Sequence, residues 1–207
     1  MRHRKQGTWL LLGGLLLMAA ALFLTCFNLW DEHRAEVQAA GVLEELRAEI
    51  PVPEERPEAE EPGEEVIPDY LLDPGREMPA VEIGGEDYIG MLEVPALGLE
   101  LPMMGEWSYP RLRKAPCRYR GSAYQGELII AAHNYRSHFG GLKSLAPGDE
   151  VRFTDMDGNV FRYTVAETEV LDGTAVEAME AGDWDLTLFT CTPGGQTRVT
   201  VRCVLEQ

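Results

Sequence analysis

Between Thr8 and Trp30 the chain runs for 23 residues without a formal charge. As a helix this run is about 35 Å long, enough to cross the hydrocarbon core of a bilayer with some tilt. Arg2, Arg4 and Lys5 precede it, and Asp31 and Glu32 follow. The positive-inside tendency therefore places the N-terminus in the cytoplasm and everything after Trp30 outside. Trp9 and Trp30 stand where interfacial aromatics belong. A cleaved signal peptide is the competing reading, but the run is longer than a usual signal core and no Ala-x-Ala site closes it. The expectation is a retained single-pass anchor in the cell membrane with an extracellular folded part. Cys26, in Leu24-Thr25-Cys26-Phe27, has only a faint likeness to a lipoprotein site and reads as an ordinary helix residue.

Charge divides the remainder. The net charge of −17 belongs mainly to residues 31–86, which hold 18 acids against 4 bases, whereas residues 87–207 hold 17 against 11. This balance argues against nucleic acid as a partner. Asp31 to Ile50 has helical character, with Val37, Ala40, Leu43, Leu46 and Ile50 forming an apolar stripe that Gly41 weakens. Pro51 to Asp69 contains five prolines and eight acids and cannot bury enough surface to offset chain entropy, so an extended spacer is expected. Residues 51–77 in polyproline geometry would reach about 80 Å. A solvated linker is a sufficient account of that composition. The chain thus divides into a basic N-terminus and anchor (1–30), a juxtamembrane helix and acidic Pro-rich linker (31–85), and a folded domain (86–207).

From Glu86 onward short β-rich runs alternate with turn signals, which argues for a small all-β barrel or sandwich. Strands are expected near 88–94, 99–103, 127–132, 150–155, 160–171, 186–191 and 197–205. Short helical pieces are expected at Tyr109 to Lys114, Gly141 to Leu145 and Ala175 to Ala181. Asp155-Met156-Asp157-Gly158-Asn159 echoes a calcium loop, but strand-like segments flank it and the glutamate expected at the twelfth loop position falls at Ala166. It reads as a hairpin turn.

Two segments carry chemistry. Leu186 to Cys191 and Thr197 to Val201 read as antiparallel strands joined across Pro193-Gly194-Gly195. With Cys191 opposite Arg198, one face carries Thr187, Phe189, Cys191, Arg198, Thr200 and Arg202. The other carries Leu186, Leu188, Thr190, Val199, Val201 and Cys203, and a one-residue slip would invert both. Locally, a core hairpin with an incidental cysteine accounts for this as well as a nucleophile beside a cation does. Upstream, Glu127 to Ala132 reads as a buried strand delivering His133 into the loop Tyr135 to Gly141. A histidine there acts as a general acid or merely caps the loop.

Taken together, Ala132-His133-Asn134 at a strand end, Thr187-Leu188-Phe189-Thr190-Cys191 and Arg198 seven positions later resemble the sortase family of cysteine transpeptidases. Tyr88 to Pro102 is similar to that family's opening strand pair, and the likeness runs from about Glu86 to the C-terminus. It implies a mainly β fold, the sortase-type closed β-barrel with short helices, behind one transmembrane helix and an acidic linker. It implies Cys191 as nucleophile, His133 as general acid and base, and Arg198 as the group holding substrate and oxyanion. Substrates would be C-terminal sorting-signal peptides resembling Leu-Pro-x-Thr-Gly, and the acceptor a peptidoglycan-precursor or pilin amine. No cofactor and no metal are expected, although some sortases use calcium.

His138 competes for the acid role, but His133 alone matches the family's strand-end position. His3 and His33 flank the span and are not candidates. Only Asp172 to Asp185 separates the strands before Cys191, unlike class B, and no second span follows the Arg198 strand, unlike many class C enzymes. Class A or D is expected, with a pilin or spore-linked role left open. Rival readings are a surface cysteine peptidase that only hydrolyses and a non-catalytic adhesion module. Cys191 must stay reduced to act, and the facing assigned above makes Cys203 a buried free thiol.

Overall fold

The computed structural model describes residues 2–51 and 67–206; the expected acidic spacer falls almost wholly outside them. Helix α1 (Arg2–Glu49) is followed by a short helix, α2 (Asp69–Leu72). Nine strands then form one sheet: β1 (Val81–Ile83), β2 (Glu86–Val94), β3 (Leu99–Met104), β4 (Cys117–Arg120), β5 (Leu128–Ala131), β6 (Glu150–Asp155), β7 (Val160–Asp172), β8 (Leu186–Cys191) and β9 (Thr197–Leu205). Short helices α3 (Tyr109–Leu112) and α4 (Val176–Glu180) lie in the connections, with 3-10 turns at Pro95–Leu97, Ala123–Gln125 and Leu142–Ser144.

The sheet order is β1-β2-β3-β4-β5-β8-β9-β7-β6, and β2 pairs also with β6, so eight strands close into a barrel with β1 as an outer edge. Closure occurs where Gly90 faces Asp155. A Cβ at Gly90 would lie 2.0 Å from the Thr154 carbonyl oxygen, and its φ of +148° is one that side-chain-bearing residues rarely adopt. Only glycine lets β2 and β6 approach there. Leu92, Val94, Met103, Leu128, Ile130, Phe153, Tyr163, Leu188 and Val201 fill the interior. Alternation along the strands puts these residues inward.

All seven expected strands and three helical pieces are present, within two residues at their ends. Two strands exceed the expectation. β1 lies before residue 86 and forms a hairpin with β2 across Gly84-Gly85, so the sheet begins earlier than the expected domain boundary. β4, Cys-Arg-Tyr-Arg, carries little strand signal of its own and is held by a parallel pair with β3 and antiparallel pairs with β5. The Asp155–Asn159 segment is the β6–β7 turn. Asp155 is fully buried and accepts from Tyr124 Oη at 2.7 Å and from the backbone N–H groups of Asp157 and Asn159.

Helix α1 continues unbroken through the apolar run into residues 31–49. From Trp9 to Trp30 its residues are exposed, whereas Asp31, Ala35, Ala39, Leu43, Leu46 and Ile50 are buried. Leu43, Leu46 and Ile50 were correctly placed by the stripe, but Val37 and Ala40 face solvent. The small residues at 35 and 39 continue the Leu43 row one turn at a time and let the helix lie close. Leu46 packs with Tyr88, Met104 and Cys117, and Arg47 Nε donates to Glu100 at 3.1 Å. Burying a leucine such as Leu46 contributes roughly 1.5–3 kcal/mol, so the contact is a substantial one. The helix runs along the barrel from the loop after β5 at Asp31 to the β6–β7 turn, where Pro51 lies against Gly158.

Candidate active site

Strands β5 and β8 are parallel neighbours in the register Ala131 with Phe189. Ala132 N–H donates to the Phe189 carbonyl at 3.2 Å, and buried Thr190 donates its hydroxyl to the Ala132 carbonyl at 2.8 Å. Continued two positions beyond the last pair, this register brings His133, just past the end of β5, level with Cys191, the last residue of β8. Strand β9 runs antiparallel on the other flank of β8, and Cys191 is the cross-strand partner of Arg198. That is the expected register, and it distributes the faces as expected: Leu186, Leu188, Val199, Val201 and Cys203 lie in the barrel core. Cys191 is exposed, while Cys203 is buried and free. Burial pushes the Cys203 thiol up to about 12, so it stays protonated and inert.

Arg198 is half-buried, with its guanidinium carbon 5.9 Å from the centre of the Phe189 ring. Phe189 meets Tyr119 edge-on, and Tyr119 meets Trp107, so an aromatic row borders the Cys191–Arg198 face. The buried Nη1 of Arg198 has no hydrogen-bond partner among the described residues. A fixed cation with an unsatisfied donor beside a thiol suits recognition of a carbonyl or an oxyanion.

The loop after β5 is compact. Phe139 N–H donates to the His133 carbonyl, and the N–H groups of His138 and Gly140 both donate to the Tyr135 carbonyl. A Cβ at Gly140 would lie 2.7 Å from that oxygen, so the turn needs glycine. His133 is half-buried, and burial lowers its pKa below the usual imidazole value. Its ring stacks on Tyr135, with centroids 4.1 Å apart and planes 12° from parallel. His138 lies with its ring tilted against Tyr135, centroids 5.4 Å apart, fully buried and with neither ring nitrogen paired among the described residues. Burial takes it down to about 4, so it is neutral at ordinary pH and out of reach of solvent. His3 lies near the start of α1, and His33, although next to the Glu32 that contacts the loop, is exposed and turned to Glu36. Among the described residues no group of three or more His, Cys, Asp or Glu side chains is arranged to hold a metal.

Sequence reasoning missed Thr190, Tyr135 and Asp31. Thr190 was assigned to the apolar face without a role. Tyr135 Oη donates to Asp31 Oδ2 at 2.5 Å across 104 positions, a contact with no local signature.

Residues 92–206 match the family model for the sortase domain, more than half of the chain. The chain belongs to the sortase family. Sortases are cysteine transpeptidases, and this one is 27% identical over 115 residues to sortase A of Listeria monocytogenes, covering 53% of this chain and 51% of that protein. Over 109 residues it is 28% identical to sortase D of Bacillus subtilis, covering 50% and 54%. This sortase thus spans about half the length of these relatives. The structure of a Clostridium perfringens sortase D5 transpeptidase has the same fold, with a TM-score of 0.58 and 19% identity over 83% of this chain and 99% of that one. Listeria monocytogenes sortase A superposes with a TM-score of 0.52 and 25% identity over 58% and 88%.

Proposed function

We propose that the protein is a single-pass membrane-anchored transpeptidase that cleaves a Leu-Pro-x-Thr-Gly-like sorting signal and joins the surface protein to an amine of the cell envelope. The observation that supports this reading is the register that pairs Cys191 with Arg198 on one flank and, continued two residues past the Ala131–Phe189 pair, brings the chain at His133 level with it on the other.

The Cys191 thiolate attacks the scissile carbonyl carbon, and the electron pair moves onto oxygen, facing Arg198. His133 as imidazolium gives its proton to the departing amine when the C–N bond breaks, which leaves a thioester on Cys191. An acceptor amine then attacks the thioester carbonyl, neutral His133 takes the amine's proton, and the thiolate leaves as a new peptide bond forms.

The exposed apolar part of α1 supports the anchor, and Arg2, Arg4 and Lys5 ahead of it support a cytoplasmic N-terminus and an extracellular barrel. Asp31 and Glu32, immediately after the span, contact Tyr135 and the Arg136 backbone. On this reading the loop bearing His133 sits at the membrane end of the barrel. Such a placement favours substrates and acceptors held in the bilayer, as a peptidoglycan precursor is, and a class A or D role. A pilin amine is the alternative acceptor.

The test incubates the full-length chain with sorting-signal peptides and triglycine, beside Cys191→Ala. Ligated product from the wild type alone is expected. Hydrolysate without ligation would mark a peptidase, and identical products from both proteins would end the enzymatic reading.

A further inference from the structure

The juxtamembrane part of α1 does more than connect. Its first buried residue, Asp31, accepts from Tyr135 Oη at 2.5 Å and pairs with Arg34 at 2.9 Å, while Glu32 accepts from the Arg136 backbone N–H at 2.6 Å. Tyr135 in turn presents its ring face to His133, 4.1 Å away. The loop from His133 to Gly140 is thus clamped by two adjacent acids at the point where the apolar run ends. We infer that Asp31 is a positioning residue for His133, acting through Tyr135, so that the transmembrane helix completes the active site as well as anchoring it.

Geometry and charge both favour this. A stacked imidazole keeps its plane only while the ring beneath it is held, and the Tyr135 hydroxyl is held by a carboxylate on another element. The hydrogen bond from Tyr135 keeps the Asp31 carboxyl below its usual range, so it is ionised at neutral pH. After burial, the groups that act on His133 are the side chain of neighbouring Asn134, which raises its proton affinity, then Arg113 beyond α3 and Asp31 from α1, with Tyr135 stacked on the ring and His138 in the same loop. Arg113 lowers the proton affinity of His133 and Asp31 raises it. Removing the Asp31 charge therefore leaves burial and Arg113 less opposed, and the imidazolium becomes scarcer at a given pH.

The inference rests on His133 as the general acid, and the test separates the two. Full-length protein in detergent micelles is assayed with a quenched Leu-Pro-Ala-Thr-Gly peptide and triglycine, and the His133 ring is titrated by NMR with carbon-13-labelled histidine. Asp31→Ala and Tyr135→Leu should each lower kcat about tenfold with little change in KM, the size expected for a displaced catalytic group. The double variant should be no slower than the worse single one, and Asp31→Glu should recover most of the loss. The His133 titration should move to lower pH in Asp31→Ala. If His133→Gln is inactive while Asp31→Ala and Tyr135→Leu keep wild-type kcat and an unmoved titration, the positioning role is overturned. If His133→Gln keeps wild-type turnover, the acid assignment itself falls.

Discussion

Thr190 donates its hydroxyl to the carbonyl of Ala132 at 2.8 Å, tying the strand that ends in Cys191 to the strand that delivers His133. The bond is buried, so the isosteric Thr190→Val leaves packing intact and removes only the donor. It should cost about 1–2 kcal/mol in urea unfolding. Turnover should fall roughly tenfold with KM unchanged, because the two groups lose their common reference. An unaltered kcat would show that the strand pairing alone holds them.

Arg198 should matter to chemistry more than to stability. Arg198→Met keeps the packing on Phe189 but loses the cation, and kcat/KM should fall by about 10²–10³ in the peptide ligation assay. Arg198→Lys should recover little, since an ammonium lacks the planar fork. Alkylation of Cys191 by iodoacetamide should remain rapid in Arg198→Met. A loss of less than a few-fold would remove the oxyanion role.

His138 makes stability depend on pH. Its folded pKa of about 4 lies below the ordinary imidazole value of 6.5, so between those values the unfolded chain binds the extra proton and stability falls as pH falls. The full effect is about 3 kcal/mol at pH 4. His138→Leu should unfold with a shallower pH dependence over that window in denaturant titrations. Parallel profiles for the two proteins would show that His138 is protonated without cost.

Arg202 is 2% exposed and holds four partners: Glu169 at 2.9 Å, Thr187 at 3.1 Å and the carbonyls of Met179 and Ala178. It fastens α4 over the sheet beside Phe189 and Ile129. Arg202→Met should destabilise by about 3 kcal/mol, since Glu169 and two carbonyls lose their donor. Amide hydrogen exchange should rise first in residues 176–180. Uniform exchange across the barrel would assign the loss to global unfolding.

What the sequence determined is what depends on neighbours. The β8–β9 register was legible because alternation, regular in β9 and approximate in β8, favours one pairing across the Gly-rich turn with a mostly apolar inner face. The turn at Asp157-Gly158-Asn159 and the apolar helix were legible for the same reason, since each is specified within about twenty residues. β1 carried a usable signal in Gly84-Gly85, but β4 did not, because charges flank its one tyrosine and its partners supply the strand conformation. Only the tertiary structure decided which row of α1 is buried, which neighbour each histidine has and that Asp31 reaches the His133 loop. Those contacts join groups up to 104 positions apart. Docking of α1 on the closed barrel brings them together, and no local pattern encodes it.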